Sequence, residues 1–153
     1  MKKRFLTLAM TGATLAAVYA LMGARAPETQ RRAINPPGSV QGLPFSNGIL
    51  AGDTLYVAGQ EGVVDGKLVS GGIEPETRAA LENIQRIVKA ARLDMKDVAS
   101  VTVFLADIHD FADMNKTYQS YFPDPKPARA TVQAAALVNN ARIEISAVAV
   151  RSR

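Results

Sequence analysis

The sequence predicts an α+β fold in which two helices pack on one face of a mixed sheet of five or six strands. Strand-like and helix-like segments follow one another in the order β-β-β-α-β-α-β-β, without an internal repeat. Two strand-like segments, 100–105 and 143–150, are so apolar that we expect both of their faces to be buried. Helices on one side would leave the second sheet face bare, so we also expect an oligomer that covers it.

The first half of the folded part contains a strand, a hairpin and a helix. Residues 53–60, DTLYVAGQ, are strand-like, and residues 62–69 place Asp-Gly between two short apolar runs, which is typical of a tight hairpin. Residues 71–93 are predicted to be helical, because proline and glutamate occupy the first turn and apolar residues recur on one face. Those apolar residues are Leu81, Ile84, Ile87, Val88 and Ala91.

The second half contains a strand, a helix and two further strands. Residues 98–107 are β-branched and apolar, which predicts a buried strand, and residues 109–122 form a predicted helix that two prolines end. Residues 128–137 and 142–151 are the last two predicted strands, with a turn near Asn139-Asn140. One face of the second helix is apolar, and we interpret it as core rather than as a cofactor site. Its members are Phe111, Met114, Tyr118 and Phe122.

The N-terminal residues 1–26 have the three parts of a bacterial-type secretory signal. These are the cationic MKKR, the apolar run 5–23 and the small residues ARA. Pro27 would follow the cut and hinder the peptidase, and the apolar run approaches the length of a membrane span, so an uncleaved anchor is the alternative. We therefore expect a periplasmic or secreted protein, or one anchored to the membrane and facing the periplasm. Residues 27–47 are polar and proline-rich, which predicts a linker and an N-terminal edge segment before a folded domain at 48–153.

Charge and composition argue against several classes of function. The chain has 18 basic and 14 acidic residues, but four of the basic ones lie within the first 26 residues, so the remainder balances at 14 each. The folded part therefore lacks the basic excess expected of a nucleic-acid binder. There is no cysteine and one histidine, so a thiolate metal site is impossible and a triad would depend on His109 alone.

We expect neither a metal nor a cofactor. His109 lies beside Asp107, Asp110 and Asp113, where a metal cluster is conceivable, but a solvated acidic helix start explains the same residues through the helix dipole. The glycine-rich segments GQEG and GG match no phosphate-binding loop.

The last two predicted strands each carry one charge within an apolar pattern, Arg129 and Glu144. Desolvating such a group without a partner costs several kcal/mol, so each must find a partner or a ligand. Either the two side chains pair with each other, or one faces solvent at a sheet edge, or they form a pocket. In a pocket, Arg129 would bind an anionic ligand and Glu144 would handle a proton or a water.

The segment PARATVQAAALVNNARIEI, residues 127–145, resembles the signature of the Rid (RidA/YjgF) family of reactive-intermediate imine deaminases. The resemblance extends over LYVAGQ, LENIQRIVKAARL and VTVFLADIHDFADMNKTYQSYF, and covers residues 36–151. It implies a chorismate-mutase-like fold assembled as a homotrimer, with sheets from three subunits forming a central barrel and ligand clefts between subunits. It also implies hydrolysis of 2-imino acids or their enamine tautomers to 2-oxo acids and ammonia.

The resemblance implies roles for particular residues. Arg129 would hold the substrate carboxylate through a bidentate pair, and Glu144 would position the attacking water and take its proton. Gly59 matches a glycine where the backbone approaches the ligand closely. Asn115 matches an asparagine of the second helix that faces the cleft.

Three positions depart from the usual pattern of the deaminases that this chain resembles. Phe45 replaces a tyrosine, Ala58 replaces a serine, and Thr131 stands where a cysteine is common. Each hydrogen bond to a charged ligand is worth about 1.5–3 kcal/mol, so these changes would weaken binding or suit a less polar ligand. A second hypothesis is therefore a non-enzymatic protein, which binds small carboxylates or acts as a holdase or interaction module.

Overall fold

The computed structural model describes residues 30–40 and 42–151, so the predicted signal segment, residues 1–26, lies outside the described residues. Six strands form one sheet in the order β1-β2-β3-β8-β6-β7, and two short strands form a separate hairpin, β4-β5. The strands are β1 (Arg31–Ile34), β2 (Gly48–Ala51), β3 (Thr54–Glu61), β4 (Val63–Val64), β5 (Lys67–Leu68), β6 (Val98–Leu105), β7 (Ala128–Gln133) and β8 (Ile143–Val150). The helices are α1 (Ile73–Ala90) and α2 (Phe111–Tyr118), with 3-10 turns at Met95–Asp97, Ile108–Asp110 and Val138–Asn140.

The sheet is mixed, as the sequence predicts. β6 pairs in parallel with β7, whereas all other strand pairs are antiparallel. A parallel pair needs a crossover connection, and α2 lies in the connection between β6 and β7. None of the helices in the described ranges is long and apolar enough to span a membrane.

The hydrophobic core lies between the two helices and one face of the sheet. The five apolar residues predicted on one face of α1 are all buried, which confirms that face. On β8 every second side chain is buried, as the alternation of a strand with one covered face requires. These buried side chains belong to Ile143, Ile145, Ala147 and Ala149.

Within the single chain only one face of β6 and β8 is buried, and burial of the second face by an oligomer stays a prediction. Their outward side chains, such as Thr102, Phe104, Ser146 and Val148, remain partly exposed, because no element of the described chain covers them. Tyr56 lies on the same outward face of β3 and is 54% exposed. The helices therefore cover one face, and the second is bare.

Two predicted elements are shorter than the sequence pattern suggests. The predicted second helix starts as a 3-10 turn, because the side chain of Asp107 accepts a hydrogen bond from the backbone N–H of His109 (2.9 Å). The α-helix proper then ends at Tyr118, although Phe122 is still buried. The predicted strand 128–137 ends at Gln133, because its partner β6 ends at Leu105.

The two predicted turns are present with the backbone that their residues favour. In the β4-β5 hairpin Asp65 and Gly66 both have positive φ (50° and 76°), as the Asp-Gly signature predicts. Asn139 and Asn140 also have positive φ (57° and 55°), so the turn before β8 lies where the sequence placed it. Asparagine tolerates this left-handed conformation better than most residues.

The segment before β2 belongs partly to the sheet. β1 is its edge strand and pairs with β2, and it lies within the residues predicted as linker and edge segment. The following irregular stretch is closed by Asn35, whose Oδ1 accepts hydrogen bonds from the backbone N–H (2.9 Å) and the side-chain amide (3.2 Å) of Asn47. Phe45 lies within this closed stretch and lines a cleft described below.

Glu76 joins α1 to the start of β8. It is buried, and its Oε2 accepts a hydrogen bond of 2.7 Å from the backbone N–H of Arg142. The guanidinium of Arg142 in turn donates to both carboxylate oxygens of Asp110 (2.7–3.0 Å). The strand that carries Glu144 is thus fixed at its beginning by two side chains.

Replacing Glu76 with alanine should therefore lower the free energy of unfolding by about 1.5–3 kcal/mol, the usual worth of a hydrogen bond to a charged group. Denaturant unfolding followed by circular dichroism measures the change. Glu76→Gln keeps an acceptor oxygen at the same place and is the matched control, with a smaller loss. Equal losses in both variants would show that the hydrogen bond to Arg142 is unimportant.

Candidate functional site

A β-bulge brings Glu144 against the backbone of Gly59. The register between β3 and β8 shifts between Val57 and Gln60, so Ala58 and Gly59 lie in a bulge. The carboxylate of Glu144 packs so closely over Gly59 that a Cβ atom at position 59 would collide with Oε1. Only glycine leaves room for this contact, which explains why position 59 carries no side chain.

A cleft of about 830 Å³ opens at this bulge. Its walls come from the irregular segment after β1, the end of β3, the β4-β5 hairpin, α1, and the turn before β8 with the start of β8. Four of the residues singled out in the sequence line it together, and we call this surface the Glu144 cleft. They are Phe45, Ala58, Gly59 and Glu144.

Arg129 lies elsewhere, on the edge strand β7. We call this region, with Thr131 of β7 and Asn115 of α2, the Arg129 edge. Its Cζ lies 4.5 Å from the ring centroid of Tyr118 and 5.5 Å from that of Phe111, both on α2. These cation–π contacts orient the guanidinium without neutralising its charge. No carboxylate in the described ranges forms an ion pair with Arg129.

The aromatic pair around Arg129 was only partly predicted. Phe111, which the helical spacing assigns to the core, is 40% exposed. Tyr118 is buried, and burial raises the pKa of its hydroxyl, an effect that the nearby Arg129 partly offsets. The two rings hold the arginine from the side of α2, so the helix positions it rather than a carboxylate.

Thr131 lies near Arg129 on β7, and Asn115 lies on α2, the helix whose rings contact Arg129. Thr131 is two residues further along β7 and pairs with Val103, so its side chain points to the same face of the sheet as that of Arg129. Its hydroxyl is buried and has no hydrogen-bond partner among the residues that the structure describes. Asn115 follows Met114 on α2 and is partly exposed.

The side chains of Arg129 and Glu144 point to opposite faces of the sheet. Arg129 pairs with Val101, which points into the core, whereas Glu144 pairs with Phe104, which points outward. β6 lies between β7 and β8, so the two charged residues are also two strands apart. The structure therefore rules out an ion pair between Arg129 and Glu144 within one chain, and one chain does not bring both to a single pocket.

Sequence reasoning missed Glu61, which is the Cα partner of Glu144 across β3 and β8 and lines the same cleft. Its Oε2 accepts a hydrogen bond of 2.7 Å from the side-chain amide of Asn139. Burial raises the pKa of Glu61 most, Asn139 lowers it, and the charges of Glu144 and Glu76 raise it further. A charge in or next to an apolar strand is the signal that drew attention to Arg129 and Glu144, and Glu61 directly follows the predicted strand 53–60.

Of the two alternatives for the region around His109, a metal cluster and a solvated acidic helix start, the geometry fits the helix start. The side chain of His109 is 91% exposed, and its Nδ1 lies 2.7 Å from Oδ1 of Asp107. In the part of the chain that the structure describes, no group of three histidine or acidic side chains could hold a metal ion.

Comparison with known proteins agrees with this architecture. A family model described as Endoribonuclease L-PSP matches residues 39–151. A human protein named 2-iminobutanoate/2-iminopropanoate deaminase is 45% identical over 117 residues, which cover 75% of this chain and 84% of that protein. A RutC family protein of Pyrococcus horikoshii is 44% identical over 108 residues, 69% of this chain and 86% of that protein.

Solved structures agree as well. The YjgF gene product of E. coli has a TM-score of 0.71 at 33% identity, covering 79% of this chain and 99% of that one. E. coli TdcF with bound serine has a TM-score of 0.70 at 33% identity, covering 79% and 97%. The resemblance inferred from the PAR and IEI segments is confirmed, together with the chorismate-mutase-like fold. The chain belongs to the Rid (RidA/YjgF) family.

Proposed function

We propose that this protein hydrolyses small 2-imino acids, or their enamine tautomers, to 2-oxo acids and ammonia. The observation that carries the proposal is the partly exposed carboxylate of Glu144, seated on the Gly59 bulge in a cleft large enough for a small molecule. Relatives at 45–46% identity are named 2-iminobutanoate/2-iminopropanoate deaminases, which supports the same reaction in this chain.

The reaction needs a base, an anchor for the carboxylate, and one water. Glu144 takes a proton from the water, and the hydroxide adds to the carbon of the C=N bond. The proton passes to the nitrogen and gives a carbinolamine. The proton of its new hydroxyl then moves through Glu144 to the nitrogen, and the C–N bond breaks so that ammonia leaves as the carbonyl forms. Arg129 holds the substrate carboxylate through two parallel hydrogen bonds, and the rings of Phe111 and Tyr118 keep its guanidinium in place. No metal or cofactor takes part in these steps.

We infer further that the working unit is a homotrimer in which the Arg129 edge of one copy meets the Glu144 cleft of the next. The opposite orientation of the two charges supports this arrangement, because one chain alone cannot present both to one substrate. The bare outward face of the sheet, with Tyr56, Phe104 and Val148, supplies apolar surface for assembly. Asn115 and Thr131 would then contribute to the shared site beside Arg129.

A non-enzymatic binder remains the second candidate because of the cleft walls. Phe45 and Ala58 both line the Glu144 cleft without the hydroxyl groups that the deaminases of this family usually place there. E. coli TdcF was solved with bound serine, which supports a small amino or imino acid as the ligand of this chain in either case.

The reaction is tested by generating imines with an amino-acid oxidase and following their decay with and without the protein. We expect faster decay for imines derived from small amino acids, and a loss of about 10²–10⁴-fold in Glu144→Gln, the usual worth of a general base. Lys89→Gln, at an exposed position near the end of α1 and outside the cleft lining, is the control. No acceleration over buffer for any of several amino acids would contradict hydrolysis and favour the binder.

The shared site is tested by mixing two inactive variants. Arg129→Ala and Glu144→Gln should each be inactive alone, whereas co-expression should restore about a quarter of the activity, because that share of randomly formed interfaces joins the intact halves. Sedimentation should show the same assembly for both variants. Absence of recovery in mixed assemblies of the expected size would mean that one chain supplies both residues.

We also propose that the protein is exported and works in the periplasm. The cationic, apolar and small-residue parts of residues 1–26 support this, with the membrane-anchored form as the alternative. Expression of the full chain in a bacterial host, followed by fractionation and N-terminal sequencing, should place it in the periplasm with Pro27 first, or in the membrane with its leader retained. Recovery in the cytoplasmic fraction would contradict export.

A further inference from the structure

Glu61 is a carboxylate in the Glu144 cleft that the proposed reaction does not use. One oxygen, Oε2, is fixed by Asn139, whereas Oε1 is buried and has no hydrogen-bond partner among the residues that the structure describes. A buried acceptor without a partner is unfavourable, so a ligand donor towards which the carboxylate turns would relieve it.

The surroundings of Glu61 are anionic. Its charged neighbours are Glu144 on β8 and Glu76 on α1, and both raise its pKa in addition to the larger effect of burial. Among the described contacts, the amide of Asn139 is the only group that favours its charged form. The ionised carboxylate is therefore poorly satisfied in the unliganded chain, and a cation would relieve it.

The net charge of the whole cleft lining is also negative. It contains the carboxylates of Glu61, Asp65, Glu82 and Glu144 but one guanidinium, that of Arg86. Nη2 of this guanidinium donates a hydrogen bond to Oδ1 of Asn83 (2.6 Å), and the four carboxylates outnumber it. A cleft lined by one sign of charge concentrates the opposite charge of a ligand.

The size of the cleft leaves room for a side chain. At about 830 Å³ it lies in the range of roughly 300–1,000 Å³ that holds drug-sized ligands. A three- or four-carbon imino acid occupies a small part of that space. The remainder extends from Glu144 past Glu61 towards α1, where Glu82 and Asn83 line the wall.

We propose that Glu61 selects 2-imino acids whose side chain ends in a cation, such as the imine of arginine. This inference rests on the proposed function, and it assigns Glu61 to binding of the side chain while Glu144 and Arg129 act on the common imino-acid part. Asn139 is a positioning residue, since it holds the carboxylate of Glu61 through Oε2 at the wall of the cleft.

The test compares the imines of arginine and citrulline, which have the same length and differ in a guanidinium against a neutral urea. We expect the wild-type protein to favour the arginine imine by about tenfold in kcat/KM, and Glu61→Gln to abolish that preference, as loss of one charge-assisted hydrogen bond implies. Glu74→Gln removes the same charge from an exposed position of α1 outside the cleft and should keep the preference.

The outcomes separate this inference from the proposed function. Hydrolysis of small neutral imines without a preference for arginine, or a preference that survives Glu61→Gln, overturns the role of Glu61 and leaves the function intact. If no imine is hydrolysed, the proposed function fails, and titration calorimetry with arginine and citrulline tests the inference alone. Binding of arginine that is lost in Glu61→Gln then supports it, and equal binding of both compounds overturns it.

The same variant has a readout that needs no substrate. The raised pKa of Glu61 means that its stabilising effect is complete below the ordinary glutamate value of 4.5 and is lost as the pH rises through the folded value. Glu61→Gln cannot ionise, so it should raise Tm by about 1–3 °C relative to wild type at pH 7–8, and by less at pH 4. An equal change at both pH values would show that the Glu61 carboxylate is already satisfied, which overturns the inference.

Discussion

The position of β6 between β7 and β8 determines where each charged side chain of the site lies. A strand that separates two others places their residues on faces dictated by its own alternation. Because Val101 and Phe104 of β6 point to opposite sides, Arg129 faces the helices and Glu144 faces away from them. The polypeptide therefore presents its two charges on opposite faces of the sheet.

The side chains of Arg129 and Glu144 are positioned by different structural elements. The Arg129 edge depends on α2, whose aromatic rings orient the guanidinium, and α2 is available there because the parallel β6–β7 pair needs a crossover. The Glu144 cleft depends on a bulge, which adds a residue to β3 and gives the carboxylate a backbone surface to rest on. A helix thus positions the charge on one face of the apolar sheet, and a bulge positions the charge on the other face.

Local patterns in the sequence predicted much of this fold. The apolar face of α1, the Asp-Gly hairpin and the Asn139-Asn140 turn follow from periodicity and backbone preference alone, and all three are present. The order of strands in the sheet depends on long-range pairing, which no local pattern encodes. For that reason the sequence left open whether Arg129 and Glu144 pair with each other, face solvent or share a pocket, and the structure separates them within one chain.

The family resemblance indicated part of the candidate site. It identified Phe45, Ala58, Gly59 and Glu144, which meet in one cleft. It did not indicate Glu61 or its contact with Asn139, because that hydrogen bond joins residues 78 positions apart. Phe111 was assigned to the core because helical spacing places it beside Met114, but spacing cannot tell a ring that packs inside from one that covers an arginine.

β1 and β7 are the two outer strands of the sheet, at opposite ends of its order. With strands about 4.8 Å apart, five spacings place them about 24 Å from each other. The described chain enters the sheet at β1, on the side away from Arg129. A leader that stays attached would thus join the protein at the border remote from the arginine. The proposed membrane tether and the proposed contact of a second copy at β7 would therefore lie at opposite edges of the sheet and would not obstruct each other.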